Sequence, residues 1–312
     1  MPIIVVNGTE EGPTLVVDAC HHGNEYEGIE GVIRVAQALD AKHMKGTFIG
    51  VPVLNVPAFE ARTRVNPYDY EYLDMNRSYP CRERSREGCI PTHLTATERI
   101  SQLYFNEVVC KADYVVSCHG GGNYQLEFPY VYYQASDVGA NQDIGKKSME
   151  LAKVFGLPIL TKWLTGWSGS LLHAAAQKNI PAILSEIGGV DRYYLRENSA
   201  KLHVRGITNV MKHLDMLDGR IELPKEQIVV EMPHYSNKYG GLWRPEAELG
   251  KNVPKGGTIG RVLDLFGNQI ECVKSPVEGL LTMIWGYPIV HPGEELYSIG
   301  IPVAHAQALC SN

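Results

Sequence analysis

Three apolar runs in this chain each end in a residue able to do chemistry, with glycine close behind, and that recurrence constrains the fold more than any other feature. Residues 14–20 read Thr-Leu-Val-Val-Asp-Ala-Cys and lead into His21, His22 and Gly23. Residues 114–118 lead into His119 and then Gly120, Gly121 and Gly122. Residues 180–185 lead into Glu186, with Gly188 and Gly189 following. Short apolar runs bounded by glycine suit buried strands, and Gly23 permits a sharp turn where the first one ends. In an open α/β sheet, ligands gather at the carboxyl ends of strands, so residues distant in sequence can share one crevice.

The rest of the chain to about Gly219 alternates apolar strands with amphipathic helical patterns, as expected for a three-layer α/β domain with a mixed sheet. In residues 28–40, Ile29, Val32, Ile33, Ala36 and Leu39 follow a helical rhythm. The last such helix carries Ile207, Val210, Met211, Leu214 and Leu217 on one face and stops at Asp218-Gly219. After about Ile221 short strand-like runs alternate with glycine and proline turns, which reads as a small all-β module. The expected division is a catalytic domain over residues 1–221 and a β module over 222–312 that caps the active site. The module resembles a biotinyl or lipoyl barrel, yet it has no lysine at a hairpin tip flanked as a carrier site requires. His234, Tyr239 and Trp243 within it are expected to serve turns or packing.

His22 and Glu25 form a His-x-x-Glu hook that can place an imidazole and a carboxylate on one metal ion. Hydrolytic zinc sites use three protein ligands and keep a fourth position for water, and two histidines with one glutamate are one such set. His119, in the matching strand, histidine, glycine context, is the candidate third ligand, and His21 is assigned to packing or to support of the ligands. A charged group ending a buried strand is costly without a partner or a task. Glu186 is therefore the candidate base, the alternative being a helix cap or a pair with Arg192.

Six arginines fall within residues 62–86 of a chain whose formal net charge is -6. Arg82, Arg84 and Arg86 are interleaved with Asp69, Glu71, Asp74, Glu83 and Glu87, and are read as solvated ion pairs. Asn76 and Arg77 are the better candidates, because an amide donor beside a guanidinium fork suits a carboxylate. Tyr68, Tyr70, Tyr72 and Tyr79 crowd this segment, and half-buried packing is expected for most of them. Trp163 and Trp167 lie in a loop before a helix expected at residues 170–178, whose His173 is discounted as a ligand.

His22-Gly-Asn-Glu25, Arg62 and Arg64, Asp74-Met-Asn-Arg77-Ser-Tyr-Pro80, Ser117-Cys-His119 and Glu186-Ile-Gly-Gly189 occur in the order found in the succinylglutamate desuccinylase and aspartoacylase family, a branch of the zinc carboxypeptidases. The chain resembles that family over nearly its whole length. The resemblance implies one Zn2+ per chain on His22, Glu25 and His119, with Glu186 as general base and then general acid. It implies that Asn76 and Arg77 hold a substrate carboxylate and that an upstream arginine, Arg64 in preference to Arg62, stabilises the oxyanion. Many relatives have aspartate two residues before the second histidine, where this chain has Ser117, so a supporting carboxylate must come from elsewhere.

The implied reaction is amide hydrolysis of a small anionic N-acyl amino acid or a related carboxylate-bearing amide. A carboxypeptidase acting on short peptides and a noncatalytic metal-containing binding protein are the alternatives. At 312 residues the chain has length for one large or two ordinary domains. No basic face of the size nucleic acid needs and no phosphate loop is present. The apolar start is too short for a signal peptide or a membrane span, so cytoplasmic residence is expected, and homo-oligomers are compatible with the composition. Seven cysteines without a C-x-x-C pair argue against a disulfide scaffold, and Cys20 and Cys118 are expected to be small buried hydrophobes.

Overall fold

The computed structural model describes residues 1–80, 94–134, 143–163, 168–189 and 193–303. In chain order its strands and helices are β1 (Ile4–Asn7), β2 (Glu10–Ala19), α1 (Glu27–Ala38), β3 (Lys45–Val51), α2 (Val56–Ala61), α3 (Ala96–Glu107), β4 (Tyr114–His119), β5 (Gln125–Tyr133), α4 (Asp143–Phe155), β6 (Ile159–Lys162), α5 (Leu171–Gln177), β7 (Ala182–Gly189) and α6 (Tyr193–His213). There follow β8 (Ile228–Glu231), β9 (His234–Ser236), β10 (Gly241–Pro245), β11 (Asn252–Val253), β12 (Thr258–Leu263), β13 (Gln269–Lys274), β14 (Gly279–Trp285), β15 (Ile289–Val290) and β16 (Glu295–Pro302). Arg82, Arg84, Arg86, Glu83, Glu87, Trp167 and Arg192 lie outside the described residues.

The order across the main sheet is β1-β3-β2-β4-β7-β5-β6-β8-β16-β14-β11. Strands β3, β2, β4 and β7 are mutually parallel, whereas β5 runs antiparallel to β7. Alternating side chains of β2 enter opposite cores: Leu15, Val17 and Ala19 pack with α1, α4 and α6 residues such as Val32, Phe155 and Ile207. Val16 packs instead with Tyr104 and Phe105 of α3 and Leu171 and Leu172 of α5. That period of two is the strand geometry itself. In α1 the buried apolar residues are Val32, Val35 and Ala36, so Val35 takes the place expected for Ile33 in the stripe. Helix α3 opens with a reciprocal capping box between Thr95 and Glu98.

The part after residue 221 contributes to two sheets. Strands β10, β12, β13 and β15 form a four-stranded sheet of their own. Strand β8 extends the main sheet beside β6, and β14 pairs directly with β5 through Met283–Glu127, Ile284–Leu126 and Trp285–Gln125. The sheet therefore crosses the expected boundary at 221.

Two glycines matter for the site. A Cβ on Gly23 would lie 2.0 Å from the Ala58 carbonyl carbon, and one on Gly28 would lie 2.5 Å from Cβ of Cys118. Gly23 is thus required for close approach of the hook to α2, whereas the left-handed turn falls on Cys20, at φ 59°. Tyr68, Tyr70 and Tyr72 are exposed, against the expectation of half-buried packing, and Tyr79 alone of the four is buried.

Candidate active site

Strands β2, β4 and β7 lie side by side, with Ala19 in register with Cys118 and His119 with Glu186. Their carboxyl ends deliver His22, Glu25, His119 and Glu186 to one cleft of about 350 Å3. His22 Nδ1 is 2.6 Å from Glu25 Oε1, and His119 Nδ1 is 2.8 Å from Glu25 Oε2. Ligand atoms of these three residues all lie within 4.8 Å of one another, and all three side chains are buried. Two imidazole nitrogens converging on one carboxylate make a donor set that fits zinc.

The arrangement around that triad is one of satisfied charges. Asp74 accepts from His22 Nε2 at 3.0 Å and from Arg64 at 3.1 Å, while Arg64 also donates to Glu25 at 3.1 Å. Burial opposes the Glu25 charge, but His22 and His119 outweigh it and hold the carboxyl below its ordinary value. Asp74 is likewise held well below the carboxylate range by His22, Arg64 and Arg77 against the cost of burial. Burial pushes His119 down to about 4, which favours the neutral imidazole that a metal needs.

The neighbouring side of the cleft is the opposite. Glu127, on β5, is 7% exposed, and its carboxyl is hydrogen bonded to that of Glu186. Two carboxyls in such contact must share a proton. Burial, together with Glu25 and Glu27, pushes Glu127 up to about 8. Burial, Glu127 and Glu25 raise Glu186 well above its usual range. The Tyr130 hydroxyl donates to Glu127 Oε1 at 3.3 Å.

Of the arginine segment, Arg64 and Arg77 line the cleft with Asn76. Arg62 does not: it is the exposed left-handed cap of α2, at φ 57°. Asn76 is pinned by Leu171 N–H donating to its Oδ1 at 2.9 Å, which leaves its amide NH2 as the donor end. His21 is fully buried and stacks on His119 with ring centroids 5.0 Å apart. Its Nδ1 lies 3.1 Å from Asp18, which also accepts from Ser117 at 2.7 Å and from Tyr104. Asp18 and Ser117 are register partners on adjacent strands. A carboxylate is thus present beside Ser117 after all, supplied by the next strand.

Three contributors went unnoticed in sequence: Asp18, Asp74 as a bridge between His22 and Arg64, and Glu127. Asp18 and Glu127 carried a usable signal, a carboxylate inside an apolar strand. His234 also lines the cleft, where packing was expected, and is ion-paired with Glu295. Trp243 is buried and donates to the Trp285 carbonyl, while Tyr239 is 40% exposed.

Residues 11–214 match the Succinylglutamate desuccinylase/Aspartoacylase catalytic domain. The chain belongs to that family. It is 30% identical over 284 residues to the N-alpha-acetyl-L-2,4-diaminobutyric acid deacetylase of Halomonas elongata, which spans 89% of this chain and 77% of that protein. Among solved structures of similar fold is the product-bound ectoine utilization protein EutE (DoeB) from Ruegeria pomeroyi. It has a TM-score of 0.83 and 24% identity, over 96% of this chain and 88% of that one. A succinylglutamate desuccinylase from a Silicibacter species has a TM-score of 0.83 at 22% identity, over 97% and 88%. These structures share the mixed α/β fold of the family.

Proposed function

We propose that this chain is a zinc-dependent amidohydrolase acting on small N-acyl amino acids, with a three-layer catalytic part over residues 1–221 and a β module over 222–312 that closes its cleft. The observation that carries this reading is the convergence of His22, Glu25 and His119 beside Glu186 in one cleft. The family membership and the deacetylase relative support the same chemistry. A divalent cation on these three residues would polarise the acyl carbonyl and lower the pKa of water.

Each remaining task falls to a side chain of this protein. Asn76 and Arg77 bind the substrate carboxylate, the guanidinium supplying charge and the pinned amide supplying orientation. Arg64, fixed by Glu25 and Asp74, stands at the rim of the triad as a donor to the developing oxyanion. Glu186 takes the proton of the attacking water and returns it to the departing amine, a role that suits a carboxyl whose pKa is raised by burial and by Glu127 beside it. Trp285 and His234 from the β module help to wall the cleft, which favours small substrates over folded proteins. No helix among the described residues is long and apolar enough to cross a membrane. A cytoplasmic location is part of the proposal.

Elemental analysis of purified wild type beside His119→Ala, followed by an amine-release screen of N-acyl amino acids, tests it. About one zinc per chain, lost in the variant, together with amine release by wild type, is the expected result. A wild type that takes up no metal when zinc is supplied would overturn the reading, and metal uptake without amine release from any N-acyl amino acid would favour the noncatalytic metal-containing alternative.

A further inference from the structure

Tyr130 and Tyr132, two residues apart on β5, both line the cleft but have different partners. Tyr130 donates to Glu127. The Tyr132 hydroxyl lies 3.5 Å from His234 Nε2, and the other ring nitrogen of His234 is paired with Glu295. His234 comes from β9 and Glu295 from β16, which pair with each other in the main sheet. A Glu295–His234–Tyr132 chain therefore runs from the strands after residue 221 to β5, and all three members line the cleft. None of the three has a task in the reaction as proposed.

The chain ends beside the residues assigned to the substrate carboxylate. Tyr132 packs edge-on against Trp163, with ring centroids 4.8 Å apart. Trp163 Nε1 donates to Ser170 Oγ at 2.9 Å, and the N–H of the next residue, Leu171, donates to Asn76 Oδ1 at 2.9 Å. Tyr79 N–H donates to the Gly169 carbonyl at 2.7 Å, and a Cβ on Gly169 would lie 2.3 Å from the Arg77 carbonyl oxygen. Residues 169–171 thus tie Asn76 and Arg77 to Trp163 and, through it, to Tyr132. Burial, with Glu186 and Glu127, pushes the Tyr132 hydroxyl well above its ordinary value, so it keeps its proton. An imidazolium paired with Glu295 through Nδ1 has its second N–H at Nε2, facing the Tyr132 oxygen. A phenol that accepts there must direct its own O–H away from His234, and the residue borders the cleft. A carboxylate has about four lone-pair sites, of which the Asn76 amide and the Arg77 fork cover only part.

Resting on the amidohydrolase reading, we propose that the Tyr132 hydroxyl is a third donor to the substrate carboxylate, and that His234, held by Glu295, is the positioning residue that aims it. Arg77 and Asn76 then grip the anion from one wall and Tyr132 completes it from the other. His234 acts on the substrate through Tyr132, and Glu295 acts on it through His234. The strands after residue 221 take part in recognition as well as in walling the cleft.

The test uses zinc-loaded protein and the N-acetyl derivatives of alanine, norvaline and aspartate, each as the free acid and as its α-carboxamide, with the pair turned over fastest carrying the measurement. Wild type should prefer the acid to the carboxamide by about 10-fold or more in kcat/KM, because a site built to hydrogen-bond one group rejects analogues that lack it. Tyr132→Phe and His234→Ala should each raise KM for the acid by roughly 10-fold, more than they lower kcat, and should pull the acid-to-carboxamide ratio toward one. His234→Gln, whose amide can donate to the same phenol oxygen, should recover part of that ratio. The double variant should be no worse than Tyr132→Phe alone, since His234 works through Tyr132. His234 and Glu295 are only partly buried, so His234→Ala and Glu295→Gln carry the test if Tyr132→Phe does not fold. Equal losses on acid and carboxamide in His234→Ala would reduce the residue to a structural role and overturn the assignment, as would an unchanged ratio or a wild type that does not discriminate. Each of those results leaves the amidohydrolase reading intact. Failure of wild type to release amine from any probe would bring down both readings together.

Discussion

The β2 and β5 sides of one cleft solve the problem of buried charge in opposite ways. Around β2 the carboxylates of Glu25 and Asp74 are neutralised in place by His22, His119 and Arg64. Around β5 and β7 the carboxyls of Glu127 and Glu186 face each other and manage by holding a proton. On the proposed function, a pair of depressed carboxylates next to a pair of raised ones would separate binding from proton transfer: the first stays charged and able to hold a cation, the second stays protonatable. The lesson is that environment, not residue type, sets apart the protonation of four acidic side chains in and beside one cleft.

The contrast can be broken most severely at its proton-handling end. Glu186→Gln should lower kcat by about 100-fold to 10,000-fold with zinc content unchanged, measured by amine release and elemental analysis. Wild-type rates in that variant would remove Glu186 from the chemistry. A smaller effect is expected at Asp18, whose charge is opposed by burial but sustained by His21, Tyr104 and Ser117. Asp18→Asn should cost about 3 kcal/mol in denaturant unfolding, since three hydrogen bonds to a charge lose their acceptor strength. Because the Asp18 pKa is depressed on folding, that contribution is present above the ordinary aspartate range and disappears as pH falls through the folded value.

Glu127 should behave with the other sign. Its folded pKa, about 8, exceeds the ordinary glutamate value of about 4.3, so between those values the folded chain binds more protons than the unfolded one. Stability of the chelator-treated protein should therefore fall as pH rises through that window. Glu127→Gln should flatten the fall and add up to about 3 kcal/mol at pH 7, at about 1.4 kcal/mol per unit. A pH profile of urea midpoints superimposable on wild type would show that the proton is not held there. At the weak end, Arg34 bridges Glu30 and Glu197 on the helical surface, with side chains that are all more than a third exposed. Arg34→Ala should change stability by no more than about 1 kcal/mol, and by less in high salt. That variant calibrates how much an exposed ion pair contributes beside the buried ones.

The β2 side was largely legible in the sequence and the β5 side was not, for a topological reason. Parallel strands put their carboxyl ends at one edge, so apolar runs ending in His22, His119 and Glu186 announced a shared site without knowledge of pairing. Strand β5 is antiparallel to β7 and brings its beginning to that edge, so Glu127 sits where a search of strand ends does not look. Asp18 shows the related blind spot: the carboxylate missing at Ser117 was sought along the chain, whereas its source is a register partner 99 residues away. Short strands are present after residue 221 as expected, but the pairing of β14 with β5 depends on contacts over more than 150 residues, which no local pattern reports.

Strand β5 is claimed by three neighbours: β7 along one edge, and β6 and β14 sharing the other. Glu127 is registered simultaneously against Gly188 and Met283. Replacing the strands after residue 221 with foreign ones would therefore also reset one of the residues that line the cleft. An incoming strand keeps the cleft intact only to the extent that it preserves that double alignment.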